Sequence, residues 1–218
     1  VPKHDHLHTL PITERYPEEI WDTLNDAATA HENQQRKVEK QWYIVHPFSV
    51  FEKVRGVTDD LNVQKGALLH DTVEDTDVTI DDIEQKYGPE VACLVWGVTK
   101  DDSYPDWYTR NNAYLQRLEH EAMDGSIIIA LADKIDNLTD MVMNHQKYGE
   151  GFWQHFNAQP LDQLWWYTSV LQVGKKRLPD CPLNQELEQL VETFCVLVVS
   201  DMATQRQDTS ESVAYALS

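Results

Sequence analysis

The sequence predicts an all-α fold. Apolar residues recur at three- and four-residue spacing in successive stretches, and the strict alternation of a half-buried strand is nearly absent. Breaks at Tyr87-Gly88-Pro89 and from Pro179 to Pro182 punctuate these stretches as helix ends would. The 218 residues suffice for one sizeable domain, or a domain with an appendage, and 41% hydrophobic content with seven Trp can build its core.

Residues 1–16 are polar, contain Pro and alternate His4, His6 and His8, which reads as a flexible or capping arm. Pro17-Glu18-Glu19-Ile20 opens a helix, with Pro in the first turn and acids complementing the N-terminal dipole. Ile20, Trp21, Leu24, Ala27 and Ala28 carry its apolar spacing through residues 17–33. Arg36, Lys37 and Lys40 then form a basic loop in an acidic chain. With His46 close behind, this loop reads as one that contacts phosphate or a base: Arg forks onto phosphate oxygens or stacks on a purine, and Lys acts as a point charge.

His46-Pro47 to Val57 predicts a second helix with Val50, Val54 and Val57 inward, and Asn62 to Leu69 leads into the central motif. Thr79 to Glu84 reads as a capping box, Asp82 answering Thr79 in place of the usual Glu. The helix behind it ends near Tyr87, and another runs from Glu90 to Val98. Lys100 to Arg110, with Pro, adjacent acids and aromatics, reads as a loop over the helical scaffold.

Amphipathic helices follow over 111–123 and 126–143, the second opening on the deeply buried run Ile127 to Leu131. Trp165-Trp166-Tyr167 and Leu171 extend a helix to about Arg177, the aromatics reading as core or a subunit contact. Glu186 to Val199 form a last helix, and the polar end frays. The expected organisation is an arm over 1–16, a core over 17–148, C-terminal helices over 149–205 packed on it, and a frayed tail over 206–218.

Charge and cysteine content narrow the function classes. A net charge of -19 argues against binding a nucleic acid polymer or an anionic membrane. It also weighs mildly against a polyphosphate substrate, unless the pocket carries its own cations and a metal. No stretch reaches membrane-spanning length, and no signal-peptide pattern opens the chain. Cys93, Cys181 and Cys195 are odd in number, widely spaced and set among apolar residues. They read as buried thiols of a reducing compartment, so a cytoplasmic protein is expected. Oligomeric state is left open.

Chemistry concentrates in Gly66-Ala67-Leu68-Leu69-His70-Asp71-Thr72-Val73-Glu74-Asp75-Thr76. On a helix, positions 70 and 74 share a face, as do 71 and 75, so four polar groups converge behind an apolar run. A His beside an Asp is by itself most often a hydrogen-bonded pair. Two further segments shift that balance: Tyr43-Ile44-Val45-His46-Pro47 upstream, and Leu131-Ala132-Asp133-Lys134-Ile135-Asp136-Asn137-Leu138 downstream. Asp133 leaves a buried run and needs a partner, and Asn137 lies one turn on, facing the same way. Together His46, His70, Asp71 and Asp133 form a mixed nitrogen and oxygen set that suits a divalent transition metal.

These residues resemble the HD-domain metal-dependent phosphohydrolases. Ala30-His31, Gln35-Arg36-Lys37, Tyr43-Ile44 and His46-Pro47 are similar to the opening of the hydrolase domain in the RelA/SpoT homologues. Leu68 to Thr76 resembles that family's central signature, and Leu131-Ala132-Asp133-Lys134 with Asn137 its closing motif. The likeness covers about residues 25–145, leaving no room for a synthetase region, so a stand-alone small alarmone hydrolase is expected. Its architecture would be an HD-domain helical bundle with additional C-terminal helices.

The resemblance implies one Mn2+ held by His46, His70, Asp71 and Asp133, and removal of 3′-pyrophosphate from guanosine tetra- or pentaphosphate. Glu74 and Asp75 would orient or deprotonate the attacking water. Arg36, Lys37, Lys134 and Arg110 would balance the phosphates, with Asn137 bonding the sugar or holding the site together. The chain departs from the family pattern where Val38-Glu39-Lys40-Gln41-Trp42 replaces the usual Ser-Gly-Glu-Pro stretch, which bears on the base contact. Two alternatives stand beside this reading. One is a hydrolase of another phosphorylated nucleotide, such as an adenine alarmone or NADPH. The other is a non-catalytic nucleotide-binding module, against which the complete residue set speaks.

Overall fold

Each apolar stripe of the sequence becomes a helix. The computed structural model describes residues 15–36, 38, 40–155 and 158–216, with backbone alone for residues 150, 155 and 205–216. The helices are α1 (Glu18–Ala30), α2 (Val45–Arg55), α3 (Leu61–Leu69), α4 (Thr72–Asp75), α5 (Ile80–Tyr87), α6 (Pro89–Val98), α7 (Trp107–His120) and α8 (Asp124–Tyr148). A 3-10 segment (Gly149–His155), α9 (Pro160–Arg177) and α10 (Pro182–Ala216) complete the order. Among the described residues no strand forms; an isolated antiparallel bridge joins Gln35 to Trp42. No described helix is long and apolar enough to cross a membrane.

Local chemistry sets the helix starts. Asp60 caps α3 by accepting from the amides of Asn62 at 2.8 Å and Val63 at 3.5 Å. The capping box at Thr79 and Asp82 forms as expected. Gly88, at φ +90°, is the sole residue between α5 and α6, and the reversal there needs the left-handed backbone that glycine supplies without a Cβ clash.

One start was misjudged from sequence. Asp106 accepts from the Thr109 amide at 2.9 Å and begins α7 at Trp107, so Arg110 lies in a helix rather than in a loop. The expected arm also gives way earlier. Tyr16 packs edge-on against Trp21 and Phe51, and its hydroxyl donates to Glu52 at 2.9 Å. His4, His6 and His8 lie outside the described residues, and the expected frayed end falls where only backbone is described, helical to Ala216.

Helix α8 is the axis of the molecule. It packs against α2, α3, α6, α9 and α10, and Ile127, Ile129, Ala130, Leu131, Ala132, Ile135 and Leu138 on it are fully buried. Such burial on nearly all sides is what the apolar run at its start demands. Close crossings let the neighbours approach. A Cβ on Gly66 in α3 would lie 3.0 Å from Ile129 Cδ1 and 3.3 Å from Leu94 Cβ, so the glycine admits α6 and α8 against the segment that carries His70.

Trp166 and Tyr167 are buried in the core, as expected. The cysteines are not all buried: Cys93 is exposed, one turn from Trp96 on the outward face of α6, and Cys181 and Cys195 are partly covered.

Candidate metal centre

The central motif is not one continuous helix. Helix α3 ends at Leu69, His70 takes its C-terminal cap position, and Asp71, at φ -97° and ψ -5°, starts the short α4. This break turns both side chains inward. The Asp75 amide still donates to the Asp71 carbonyl at 3.0 Å, so 71 and 75 remain one turn apart.

His46 arrives from the first turn of α2 and Asp133 from the middle of α8. His46 Nε2 lies 3.4 Å from Asp71 Oδ2 and 3.3 Å from Asp133 Oδ1, and His70 Nε2 lies 3.2 Å and 3.8 Å from the same two oxygens. Ligand atoms of His46, His70 and Asp71 all fall within 4.8 Å of one another. The four predicted metal residues therefore do converge.

Hydrogen bonds on the far side of each ring decide what these atoms offer. His70 Nδ1 donates to the Ala67 carbonyl at 2.8 Å, and His46 Nδ1 donates to Asp136 Oδ2 at 2.7 Å. Each Nε2 is left buried, without a hydrogen-bond partner, facing carboxylate oxygens. Lone pairs facing lone pairs in a dry site need a proton or a cation between them. Two imidazole nitrogens with two carboxylates match the donor set of a divalent transition metal, so the residues fit one.

The charges agree. Burial works against ionisation throughout, but Asp133, Asp136 and Asp71 outweigh it and hold the His46 pKa well above its ordinary value. Burial is likewise outweighed at His70, where Asp71 and Asp133 push the pKa up to about 9. Asp71 and Asp133 are held well below the usual carboxylate range despite burial, chiefly by His70 and His46 for the first and by Lys134 and the two imidazoles for the second.

Glu74 and Asp75 flank this cluster. The Lys100 amide donates to Glu74 Oε1 at 2.7 Å, and Lys100 Nζ stands 3.7 Å from Oε2. Burial raises the Glu74 pKa, with Lys100 opposing and Asp71 adding. Burial and Asp71 raise that of Asp75. A cavity of about 490 Å³ opens beside the cluster, lined by Gln34, Arg36, Tyr43, Asp75, Asn137 and Tyr167 among others but by none of the four metal-competent side chains. That volume is in the range of small-molecule sites.

The expected substrate residues divide. Arg36 and Asn137 line the cavity, the guanidinium donating to Asn137 Oδ1 at 3.3 Å and to Asp140 Oδ2 at 2.9 Å. Asn137 also donates to Asp133. Lys134 is buried, bonded to Asp133 and set over the rings of Trp166 and Tyr114, so it acts as the counter-ion of Asp133 rather than as a cavity wall. Arg110 pairs with Asp102 at 2.5 Å on the surface and does not join the cluster, a consequence of its place on α7. Lys37 lies outside the described residues.

Four contributors were missed as site residues: Tyr43, Lys100, Asp136 and Asp140. All four lay on or beside recognised segments, Tyr43 within the Tyr43-to-Pro47 string itself. Asp133, Asp136 and Asp140 fall at three- and four-residue spacing, one face of one helix, and Lys100 follows directly on α6. The two sides of the basic loop are joined by Arg36 N–H to the Gln41 carbonyl at 2.8 Å and Tyr43 N–H to that of Gln34 at 3.0 Å. Lys40 takes φ +57° there, in the left-handed region that favours glycine.

Comparison with known proteins points the same way. The HD-domain family profile matches residues 24–157. The zebrafish (Danio rerio) guanosine-3′,5′-bis(diphosphate) 3′-pyrophosphohydrolase MESH1 is 40% identical over 176 residues, covering 78% of this chain and 91% of that protein. The human MESH1 is 38% identical over 127 residues, 56% of this chain and 69% of that protein. A solved structure of a metazoan orthologue of SpoT, described as hydrolysing ppGpp, superposes with a TM-score of 0.68 at 28% identity, covering 81% of this chain and 96% of that one. A metal-competent cluster, a family profile over more than half the sequence and relatives matched along most of their own length lead to one conclusion: the chain belongs to the HD-domain family, in its MESH1-like branch.

Proposed function

We propose that this protein is a Mn2+-dependent phosphohydrolase that removes the 3′-pyrophosphate from guanosine 3′,5′-bis(diphosphate). The observation that carries this reading is the pair of buried, unpartnered Nε2 atoms of His46 and His70. They face Asp71 and Asp133, and Asn137 and Tyr43, which bond Asp133 and Asp71, line the adjoining cavity together with Arg36. The likeness to MESH1 supports the substrate; manganese is the ion that the resemblance of the sequence motifs implies, and the donor set alone is equally compatible with iron or zinc.

His46, His70, Asp71 and Asp133 would hold the ion. When bound, it would supply Lewis acidity to a phosphoryl oxygen and make a water more acidic. The chain's own groups do the rest. Glu74, held by the Lys100 amide and buried enough for its pKa to rise, is suited to take a proton from the attacking water. Asp75, beside it on the cavity wall, orients that water. Arg36 meets the anionic substrate with a forked donor, exchanging its contact with Asp140 for phosphate. Lys100, 3.7 Å from Glu74, supplies the positive charge expected of Arg110 and offsets the negative charge of the chain at this point. Asn137, bonded to both Arg36 and Asp133, keeps the Arg36 guanidinium in register with the ion site. A cytoplasmic setting fits the absence of any disulfide among the described cysteines.

The test is pyrophosphate release from guanosine tetraphosphate with added Mn2+, beside a chelated sample and Asp71→Ala. Metal-dependent release by the wild type alone is expected. Silence with this substrate and turnover of NADPH would move the assignment to another phosphorylated nucleotide, a shift that the altered 36–42 loop would explain. Mn2+ binding with no turnover of either would indicate the non-catalytic module.

A further inference from the structure

His46 and His70 occupy matching places in the cluster, yet the two rings are held by different means. Ring Nδ1 of His70 donates to a main-chain carbonyl, that of Ala67, whose position is set by α3 itself. Ring Nδ1 of His46 donates to a carboxylate, Asp136 Oδ2, at 2.7 Å from a residue 90 positions away. A carboxylate can only accept, so this contact requires the proton on Nδ1 and leaves Nε2 as the atom aimed at Asp71 and Asp133.

Asp136 is itself fixed on its second oxygen, which accepts from the Ser49 hydroxyl one turn along α2 from His46. Arg36 stands on its outer side, NH2 3.9 Å from Oδ2, while its main contact is Asp140 at 2.9 Å. Asp136 therefore lies between the imidazole that faces the ion site and the guanidinium that faces the cavity. Three elements meet at this one side chain: α2, α8 and the basic loop.

We infer that Asp136 is a positioning residue for the metal centre. It locks His46 in the tautomer and orientation that present Nε2 to a divalent ion, and it raises the donor strength of that ring through its negative charge. His70 has no such anionic support, so the two imidazoles are unequal ligands and His46 depends on α8 for its competence. Partners of this kind on ligating imidazoles are worth about 10–100-fold in metal affinity where they have been removed. The inference rests on the reading of His46 as a metal ligand.

The experiment measures Mn2+ dissociation constants without turnover, reading free Mn2+ by its electron paramagnetic resonance signal. Wild type, Asp71→Ala, Asp136→Asn, Asp136→Ala and Ser49→Ala are compared, each checked for native thermal unfolding. Asn can accept from Nδ1 but lacks the charge, so it separates orientation from donor strength and keeps the side-chain volume if Ala disturbs packing.

Expected is a ladder in which Asp136→Ala weakens binding about 10–100-fold, Asp136→Asn falls between it and wild type, and Ser49→Ala changes little. The visible absorption bands of the Co2+-loaded Asp136→Asn protein should also shift, since the ligand field at one nitrogen changes. Wild-type binding that both Asp136 variants reproduce within about twofold, well inside that 10–100-fold expectation, with unchanged Co2+ bands, overturns the inference and leaves the metal reading intact. A wild type that binds no Mn2+, or binds as Asp71→Ala does, overturns the metal reading and this inference with it.

Discussion

The Tyr43 hydroxyl donates to Asp71 Oδ2 at 2.6 Å. Burial and the neighbouring carboxylates keep that phenol protonated, so it is always the donor. The ring is held by a tilted stack on His31, centroids 4.7 Å apart. Asp71 thus has one oxygen oriented by a rigid side chain before any ion arrives. Tyr43→Phe should leave the fold unchanged and weaken Mn2+ binding up to about tenfold, the equivalent of losing one hydrogen bond to a charged group, about 1.5 kcal/mol. Equal affinity in calorimetric titration would mean that Asp71 is oriented without it.

Asp71 itself contributes more than orientation. Asp71→Ala removes a ligand and leaves His46 and His70 facing Asp133 alone. Metal binding and pyrophosphate release should be lost together, and chelation of the wild type should reproduce the loss of activity. Metal content by elemental analysis and activity are the two readouts. Activity without metal in either sample would exclude the proposed chemistry.

Glu74 should behave in the opposite way. Its carboxylate is bonded by the Lys100 amide and is not among the atoms that converge on His46 and His70. Glu74→Gln is expected to bind Mn2+ normally and to lose turnover by about 10²–10⁴, the usual weight of a general base. A fully metallated and active Glu74→Gln protein would remove Glu74 from the proton-transfer role.

Metal binding should expel protons. Burial opposes charge on His70, but Asp71 and Asp133 win and push its pKa up to about 9, and His46 is raised as well. A ligating imidazole must be neutral, so the ion competes with these protons. Apparent Mn2+ affinity should therefore be lowest at acid pH and climb until pH passes about 9, by about tenfold per pH unit for each proton displaced. Calorimetry in buffers of different ionisation enthalpy would count the protons. No release at neutral pH would contradict the charge state assigned to the metal-free cluster.

One stability prediction concerns the scaffold beneath the site. A Cβ on Gly97 would sit 2.5 Å from Ser126 Oγ and 2.8 Å from its Cβ, and that hydroxyl is itself bonded to the Leu94 carbonyl at 2.9 Å. Gly97→Ala must push α6 away from the start of α8. The expected cost is about 1–3 kcal/mol, which at about 2–4 °C per kcal/mol for a domain of this size lowers Tm by several degrees. An unchanged Tm would show that α6 can shift freely there.

The sequence by itself determined the helical class, most helix bounds and the four side chains, His46, His70, Asp71 and Asp133, that converge at the candidate metal centre. These are local facts: apolar spacing, caps such as Thr79 with Asp82, and short strings around His46, His70 and Asp133 can be read without knowing what packs on what. Tertiary structure alone decided what surrounds those residues. The Asp136 contact with His46 spans 90 positions and that of Arg36 with Asp140 spans 104, and no local pattern encodes such pairings. The same cause explains where the expected cations lie. Arg110 had the right charge in the right region, but the Asp106 cap started a helix that turned it to Asp102, while Lys100 was carried to Glu74. Lys134 sat beside a ligand in sequence and was buried against it by α8 and the Tyr114 and Trp166 rings. Sequence spacing names the groups that can meet; helix packing selects which charges they meet, because an ion pair depends on distances that only the assembled core sets.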